Sequence, residues 1–219
     1  MMRKNEPLPT VSSADVARKL VLDYARGIKD QNEKAIEGMN ELLQRVLQPD
    51  ADMKTIANAA CDLIGRRFGI AGTSVAFRDP NDLKFRYEAF AGLSESVVEG
   101  MRKLCYTKEQ LLDPSVYKSY ELSRYSRIFL GEDHPYAEGE EFSYSHPGLI
   151  GMRRRALSDS LEADYIDTFM FDTSGETIGY IEISGTRLMK LPDTVTIKSV
   201  ELIALILSAA IRLRAGRLG

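Results

Sequence analysis

The two cysteines and two histidines are the side chains with the widest chemical repertoire in this sequence of 219 residues. Cys61 and Cys105 form no CxxC pair, and neither lies near a histidine at metal-ligand spacing. His134 and His146 each precede a proline in a segment rich in Tyr and Gly, without a carboxylate at ligand spacing. The pattern therefore predicts no metal site, and it favours solvated loop histidines and reduced thiols.

Other uses of these side chains stay open at the level of sequence. Either histidine could ligate haem iron or act as a base. Cys105 follows a predicted helix and could be a thiolate ligand, a redox sensor or the attachment point of a chromophore. A small buried core residue is the more frequent role of such a cysteine, so we expect Cys105 to be buried.

Arginines and tyrosines between residues 104 and 164 offer binding chemistry. Arg153 begins a run of three arginines that could pair with an anionic ligand, although such a run commonly forms a solvated edge. The same segment is dense in tyrosine, at Tyr117, Tyr120, Tyr125, Tyr136 and Tyr144. Tyrosine supplies an apolar wall with one polar group, which suits a small-molecule pocket, but the packing of a long loop explains the density equally well.

Composition and motifs exclude several classes of function. The sequence has no glycine-rich phosphate loop, GxSxG elbow or paired-carboxylate pattern above chance, so we predict no catalytic residues. Its 29 basic and 32 acidic residues give a net charge of −3, without the basic excess of nucleic-acid binders. No apolar run follows Met1–Thr10, and Leu202–Ile211 has about half the length of a membrane span. We expect a cytoplasmic protein that binds neither nucleic acid nor membrane.

The N-terminal part of the chain predicts a flexible arm followed by one amphipathic helix. Residues 1–12 contain two prolines and are expected to be loose. Residues 13–49 place apolar side chains three and four positions apart, opposite a charged face. This apolar stripe must pack on the rest of the chain or on the same helix of a second chain.

The middle of the chain predicts a helix, a hairpin and an irregular segment. Residues 53–68 have helical periodicity and end at Gly69, which suits a helix C-terminus. Residues 73–78 and 85–90 alternate as two strands, and Phe85, Tyr87 and Ala89 are expected on one face. Further along the chain we predict a helix at 94–104, a strand at 125–130 and a long loop at 132–147.

The C-terminal part is again regular. Residues 165–171 and 177–183 predict two strands joined by a hairpin turn at 172–176. A helix is predicted from about residue 193 to 214. It is apolar on nearly all sides after Val200, so one face can cover the sheet while the other needs a further partner.

This order of elements resembles a GAF domain over residues 50–214, preceded by a long N-terminal helix and followed by a short tail at 215–219. The resemblance rests on Thr55–Ala60, Phe85–Gly92, Ser126–Leu130, Asp172–Ile183 and Leu202–Ile211. GAF domains commonly finish with a strand, a "dG…iG" turn, a "G-x-I-x-I" strand and an apolar helix. The resemblance implies an α+β, profilin-like fold in which helices flank an antiparallel sheet.

The resemblance also implies a small-molecule pocket between one sheet face and the irregular segment Leu104–Asp164. Haem or a small metabolite is a conceivable ligand. The cyclic-nucleotide motif Asn-Lys-x-Phe-Asp-Glu is absent, and the Cys-beside-His pattern of bilin-binding members is absent because Tyr106 follows Cys105. The expected ligand-binding residues are Cys105, Tyr125, Arg127, Tyr136, Tyr144, His146 and Arg153.

The function implied by the resemblance is sensing and signal relay by a homodimer, acting on a downstream signalling protein. The terminal helices are expected to form the dimer through Leu20, Tyr24, Ile28, Leu202, Ile206 and Ala210, because both carry more apolar surface than one domain hides. One alternative is a redox enzyme of the free methionine sulfoxide reductase kind, using Cys105 with Cys61 as resolving partner. Another is a ligand-free dimerisation module.

Overall fold

The computed structural model describes residues 31–133, 136–137 and 139–215. Outside these ranges lie the predicted arm 1–12 and residues 13–30 of the predicted helix 13–49, with the expected interface residues Leu20, Tyr24 and Ile28. His134 and residues 216–219 lie outside them as well. The described helices are α1 (Gln31–Leu47), α2 (Met53–Phe68), α3 (Glu95–Met101), α4 (Lys108–Leu111) and α5 (Thr194–Ala215). The described strands are β1 (Thr73–Arg78), β2 (Phe85–Ala91), β3 (Cys105–Tyr106), β4 (Ser119–Glu121), β5 (Ser126–Phe129), β6 (Tyr165–Phe171) and β7 (Thr177–Ile183).

The seven strands form one antiparallel sheet in the order β3-β2-β1-β7-β6-β5-β4. The predicted C-terminal hairpin is β6 and β7, and it occupies the centre of the sheet, where Ile166 pairs with Ile183 and Thr168 pairs with Ile181. At its turn, Asp172 Oδ1 accepts hydrogen bonds from the backbone N–H groups of Ser174 and Glu176 at 2.8 and 3.0 Å. The α+β fold class predicted from the sequence is confirmed.

Local capping chemistry fixes both ends of α2 and the start of α5. Asp52 Oδ1 accepts the backbone N–H of Thr55 at 2.7 Å and starts α2. Gly69 ends that helix with φ of 65°, a left-handed conformation that glycine adopts without strain. Asp193 Oδ1 accepts the backbone N–H of Thr196 at 2.8 Å, which starts α5 where the sequence predicts it.

Helices α1, α2 and α5 cover one face of the sheet and form what we call the helix-side cluster. Its fully buried members include Ile56, Ile64, Val75, Met170, Ile181, Ile183, Ile203 and Leu207. Burying one such side chain stabilises the fold by about 1.5–3 kcal/mol. The buried stripe of α1 is Ala35, Met39, Leu42 and Val46, so the predicted apolar stripe packs on this cluster.

Helix α5 is long and apolar enough, over residues Thr194–Arg214, to cross a membrane by length and composition. Half of its most apolar stretch is buried inside the chain. The packing of α5 on the sheet, α1 and α2 accounts for this composition, because the core helix of a folded domain passes the same test.

The exposed side of α5 differs from the predicted dimer face. Ile206 and Ala210 are 6% and 0% exposed, so both point into the helix-side cluster and cannot meet a second chain. Leu202 is 44% exposed, and the other exposed leucines of the helix are Leu205 and Leu213. The prediction was wrong for two residues because spacings of four and eight from Leu202 rotate onto the buried side of this helix.

A β-bulge in β2 makes that strand serve both faces of the sheet. Val75 pairs with Ala89 and Ala76 pairs with Tyr87, so the register skips Glu88. As a result, Ala89 joins the helix-side cluster, whereas Tyr87 packs on the other face. The prediction that Phe85, Tyr87 and Ala89 share a face is therefore wrong for Ala89, because simple alternation holds only without a bulge.

The other face of the sheet packs against α3, α4 and part of residues 131–164, which we call the covering segment. The buried residues between this face and its cover form what we call the loop-side cluster, which consists of Ala76, Phe85, Tyr87, Val97, Met101, Leu111, Phe169 and Tyr180. Phe142 of the covering segment lies against Gly100 of α3, where a Cβ atom would overlap its ring. Both faces of the central strands are thus covered, one by helices and one largely by irregular chain.

Candidate ligand-binding site

A cavity of about 50 Å³ lies between the loop-side face of the sheet and the covering segment. Its walls are unusually rich in tyrosines and carboxylates. The lining residues are Tyr87, Met101, Leu104, Tyr106, Leu111, Tyr117, Phe129, Tyr136, Glu140, Ser143, Tyr165, Asp167 and Glu182. We call this space the inner cavity.

Asp167 and Glu182 face the inner cavity from the centre of the sheet. They stand opposite each other on β6 and β7, so their side chains project from the same face. Asp167 is 2% exposed, and its Oδ1 atom has no hydrogen-bond partner among the described residues. The hydroxyl of Tyr87 donates to Glu182 Oε2 at 2.7 Å.

Burial and a nearby negative charge raise the pKa of both carboxyls, the charge being that of Glu182 for Asp167 and that of Glu140 for Glu182. Burial raises the pKa of Asp167 well above its ordinary value, and the nearby charge of Glu182 raises it further, while Arg127 opposes the shift. Burial raises the pKa of Glu182 to about 7, although its bond from Tyr87 works in the opposite direction. Displaced carboxyl pKa values of this kind are common at functional sites.

Glu140 brings a third carboxylate to the inner cavity and fastens the covering segment to the fold. Its Oε1 atom accepts hydrogen bonds from the hydroxyls of Tyr106 and Tyr117 at 2.7 and 3.0 Å. Its Oε2 atom accepts the backbone N–H of Ala137 at 3.0 Å. Burial, followed by the bond to Glu140, raises the pKa of Tyr106, so this hydroxyl stays a donor.

Aromatic rings form the rest of the wall and join the covering segment to the sheet. The rings of Phe129 and Tyr165 stack with centroids 4.3 Å apart. Tyr136 lies 5.5 Å from Tyr165 and 4.6 Å from Tyr144, between ring centroids. These contacts place an aromatic wall beside the three carboxylates.

A larger cleft of about 360 Å³, the outer cleft, adjoins the inner cavity. The two spaces share Met101, Tyr136, Ser143, Tyr165 and Glu182. Glycine backbone forms part of the cleft wall, and a Cβ atom on Gly92 would overlap the carbonyl oxygen of Ala71. The combined space is in the size range of small-molecule sites, which is about 300–1,000 Å³.

Arg154 holds the two ends of the covering segment together. Its guanidinium donates to both carboxylate oxygens of Glu132, at 2.8 and 2.9 Å, and to Asp164 Oδ1 at 2.9 Å. It also donates to the backbone carbonyl of Asp159. The middle residue of the arginine run is thus an internal clamp, whereas Arg153 on one side of it is exposed.

Three of the predicted ligand-binding residues lie in or beside this space. Tyr136 lines both the inner cavity and the outer cleft. His146 lines the outer cleft, and its Nδ1 atom is 3.1 Å from Glu162 Oε2. Tyr144 packs on Tyr136 and does not itself line either space.

The other four predicted residues lie elsewhere. Tyr125 and Arg127 line a separate recess of about 200 Å³ beside β6, and Arg153 lines none of these spaces. Cys105 is exposed on the edge strand β3, so the expectation of a buried thiol is wrong. A two-residue edge strand leaves that side chain without a layer to cover it.

The two cysteines are not brought together. Cys61 is 0% exposed within the helix-side cluster, and burial raises the pKa of its thiol. Across residues 31–133, 136–137 and 139–215, no group of three or more His, Cys, Asp or Glu side chains is arranged to hold a metal ion.

Sequence reasoning missed the residues that dominate the site. Glu140, Asp167 and Glu182 were not among the expected ligand-binding residues, and neither were Tyr87, Tyr106 and Tyr117. A signal was present for two of them, because Asp167 and Glu182 are acidic residues inside otherwise apolar strands. In a two-stranded ribbon, their positions also place them opposite each other.

No family model and no curated protein sequence matches the chain. Solved structures do match it. The GAF domain of nlh2 from A. aeolicus superposes with a TM-score of 0.55 at 14% identity, over 84% of this chain and 99% of that one. The GAF domain of a phosphoenolpyruvate-protein phosphotransferase from Acinetobacter gives a TM-score of 0.53 at 12% identity, over 84% and 95%.

A third match comes from a longer protein. The bacteriophytochrome RpBphP3 from R. palustris superposes with a TM-score of 0.51 at 13% identity, covering 86% of this chain and 39% of that one. At these identities the likeness establishes the fold and no more. With the curled antiparallel sheet, the flanking helices and the pocket under the covering segment, the chain has the GAF fold.

Proposed function

We propose that this chain is a small-molecule-binding sensory module that works as a homodimer. The observation that carries the proposal is the inner cavity, where three carboxylates face a tyrosine wall and Asp167 Oδ1 has no partner among the described residues. A buried polar group without a partner costs about 1–3 kcal/mol. A fold retains such a cost where a ligand satisfies the group.

Polar contacts between the sheet and α5 connect the strands of the proposed ligand site with the helices. The hydroxyl of Ser126 donates to Glu201 Oε1 at 2.9 Å and lies 3.1 Å from Thr168 Oγ1. Ser126 and Thr168 face α5, while the adjacent residues Arg127 and Asp167 belong to the opposite face. A ligand that moves β5 or β6 therefore changes the position of α5, provided that it binds the two arrangements with different affinity.

The proposed dimer surface is the exposed apolar side of the terminal helices. On α5 it consists of Leu202, Leu205 and Leu213, and on α1 it consists of Ile36, Leu43 and Leu47, all of them at least 42% exposed. Leu205 and Leu213 are three and eleven residues from Leu202, and Leu43 and Leu47 are seven and eleven from Ile36. These spacings put each set on one side of its helix. Apolar side chains grouped in this way are typical of an interface between chains.

Signal relay requires a structural change that another protein can recognise, and the paired helices of the proposed dimer provide such a change. A change in the angle or register of paired helices can be passed to a downstream signalling protein, which is the class of partner that we propose. The matched bacteriophytochrome carries its similar region within a longer chain. We infer a comparable use of the fold here, as a sensor joined to or contacting another protein.

The ligand is tested by native mass spectrometry and an absorbance scan of freshly purified protein. We expect a copurified small molecule that is lost on denaturation, without a haem or chromophore band. Protein that carries no small molecule, and whose unfolding temperature no member of a broad metabolite set raises, would support the ligand-free dimerisation module instead.

The dimer is tested by analytical ultracentrifugation at micromolar concentration. We expect a dimer for the natural chain and a monomer for the double variant Leu202→Glu/Leu205→Glu, because each leucine contributes about 1.5 kcal/mol or more when buried. Leu188→Glu is the matched control, since Leu188 is 83% exposed and lies outside both helices. A monomeric natural chain would overturn the dimer.

A further inference from the structure

The charge balance of the inner cavity is one-sided. Glu140, Asp167 and Glu182 face it, and none of the residues that line it is Lys, Arg or His. The nearest cation to Asp167 on its neighbouring strand is Arg127, whose guanidinium lies over the ring of Phe169, 5.9 Å from the centroid, and lines a different recess. The inner cavity therefore carries acceptors without a cationic donor of its own.

Unused hydrogen-bonding atoms are a second, independent feature of the same place. Asp167 is only 2% exposed, and its Oδ1 atom has no hydrogen-bond partner within the described part of the chain. The hydroxyl of Tyr180, which is 0% exposed in the loop-side cluster next to Tyr87 and does not itself line the inner cavity, also has none. A ligand with several N–H donors satisfies atoms of this kind directly.

We propose that this site binds a small organic cation whose primary ammonium group occupies the inner cavity between Asp167 and Glu182. The apolar remainder of the ligand lies in the outer cleft. The inference rests on the proposed sensory function and specifies the chemical class of its ligand.

Size and geometry favour an ammonium group over other cations. The inner cavity, at about 50 Å³, accommodates only a small polar group, whereas the outer cleft, at about 360 Å³, has room for the rest of a ligand. An ammonium head is a small polar group with three donors, enough for the carboxylates of Asp167, Glu182 and Glu140. The rings of Tyr136 and Tyr165 add the aromatic faces that attract cations.

The same arrangement disfavours the other ligand classes. An anion finds no cationic donor among the residues that line the inner cavity, and it is repelled by each of the three carboxyl groups that is ionised. A neutral alcohol of the same shape supplies one donor and no charge, so it leaves acceptors unsatisfied. Metal ions find no cluster of three or more ligands among the described residues.

Proton linkage follows from the same geometry. Because burial raises the pKa of Glu182 to about 7, part of the unliganded protein carries a proton there, and a cation must displace it. Affinity for the cation therefore rises as pH increases through about 7. The groups that face Glu182 are Asp167, Glu140, Tyr87, Tyr136, Tyr165 and Tyr180, with His146, Glu162, Asp164 and Arg187 along the outer cleft.

The test is isothermal titration calorimetry with three four-carbon compounds that differ in charge. We expect butylammonium to bind, butan-1-ol to bind at least about ten-fold more weakly, which is about 1.4 kcal/mol, and butyrate not to bind. Butylammonium should bind more tightly at about pH 8 than at about pH 6, with proton release that is measured as a dependence of the heat on the buffer.

Two variants locate the binding. Asp167→Asn and Glu182→Gln are each expected to weaken butylammonium at least about ten-fold, because each removes a charge-assisted hydrogen bond. Glu88→Gln is the control, since Glu88 is an exposed carboxylate on β2 outside both spaces, and it should bind as the natural chain does. Thermal unfolding of each variant checks that it is folded.

Three results overturn the inference. The first is the absence of a binding heat with butylammonium up to about 10 mM, and the second is an affinity for butan-1-ol equal to that for butylammonium. The third is an affinity for butylammonium that is unchanged in both Asp167→Asn and Glu182→Gln. A copurified anionic or neutral ligand that protects the cavity residues from exchange would also overturn it, while leaving the sensory function in place. Protein that binds no compound of any class would end both proposals.

Discussion

The two faces of the central sheet differ in what their side chains are used for. On the helix side, Ile181, Ile183 and Leu207 are fully buried in an apolar cluster, and Glu201 accepts hydrogen bonds from Ser123 and Ser126. On the loop side, Asp167 Oδ1 and the hydroxyl of Tyr180 have no partners among the described residues. Along β7, Ile181 and Ile183 of the helix side alternate with Tyr180 and Glu182 of the loop side.

The two faces contribute to the free energy of folding with opposite signs. Apolar burial on the helix side supplies a large part of the favourable free energy of folding. Buried carboxylates on the loop side oppose folding, because desolvation of a charge without a partner is costly. This cost at the loop-side face is the reason for the proposal that a ligand binds there.

The largest effect is expected on the helix side. Leu207→Ala removes a fully buried side chain at the contact between α5 and the sheet, and should lower the free energy of unfolding by about 2–5 kcal/mol. Urea denaturation measures it. Leu157→Ala is the control, because Leu157 is 95% exposed and its loss should change stability by less than about 0.5 kcal/mol. A small effect of Leu207→Ala would mean that the helices are only loosely packed on the sheet.

The opposite sign is expected on the loop side. The folded-state pKa of Glu182 is raised to about 7, so its contribution to stability is complete below the ordinary carboxyl pKa and is lost as pH rises through about 7. Glu182→Gln should therefore be more stable than the natural chain at about pH 8, by about 1–3 kcal/mol, and similar to it at about pH 5.

Denaturation at a series of pH values, without amines in the buffer, distinguishes this from a general effect of charge. Glu88→Gln has the same change in formal charge at an exposed position, and should leave the pH dependence unchanged. Loss of stability in Glu182→Gln at every pH would show that the carboxylate stabilises the fold, which contradicts the division between the two faces.

The smallest effect concerns the link between the faces. Glu201→Ala removes the acceptor shared by Ser123 and Ser126, and should cost about 1 kcal/mol of unfolding free energy. Glu201→Gln keeps an oxygen acceptor and should restore most of the loss. Equal stability of the alanine and glutamine variants would mean that these hydrogen bonds do not join the sheet to α5 energetically.

Much of the fold could be predicted because its signals are local. Gly69 at a helix end, Asp193 at a helix start and the turn at Asp172 each act through neighbouring backbone groups that the sequence itself identifies. The periodicity of α2 is local as well. These signals decide which elements form and in what order.

The site was harder to predict because its chemistry depends on contacts between distant residues. Glu140 meets Tyr106 across 34 positions, and Tyr87 meets Glu182 across 95. Nothing near Glu140 in the sequence indicates that its carboxylate is buried. Likewise, the middle arginine of the run at 153–155 became an internal clamp only because Glu132 and Asp164 approach it from both sides.

The bulge in β2 has a consequence for how this strand tolerates changes in length. Tyr87 and Ala89 are two positions apart and yet point to opposite layers, so the strand consists of two halves that are out of phase, with Glu88 as the spare residue between them. Deleting Glu88 would restore simple alternation and keep each half oriented as it is. Deleting a residue within either half would instead turn that half over, exchanging its core and pocket positions. Among single-residue deletions in β2, the shortening at residue 88 is the one expected to leave both layers intact.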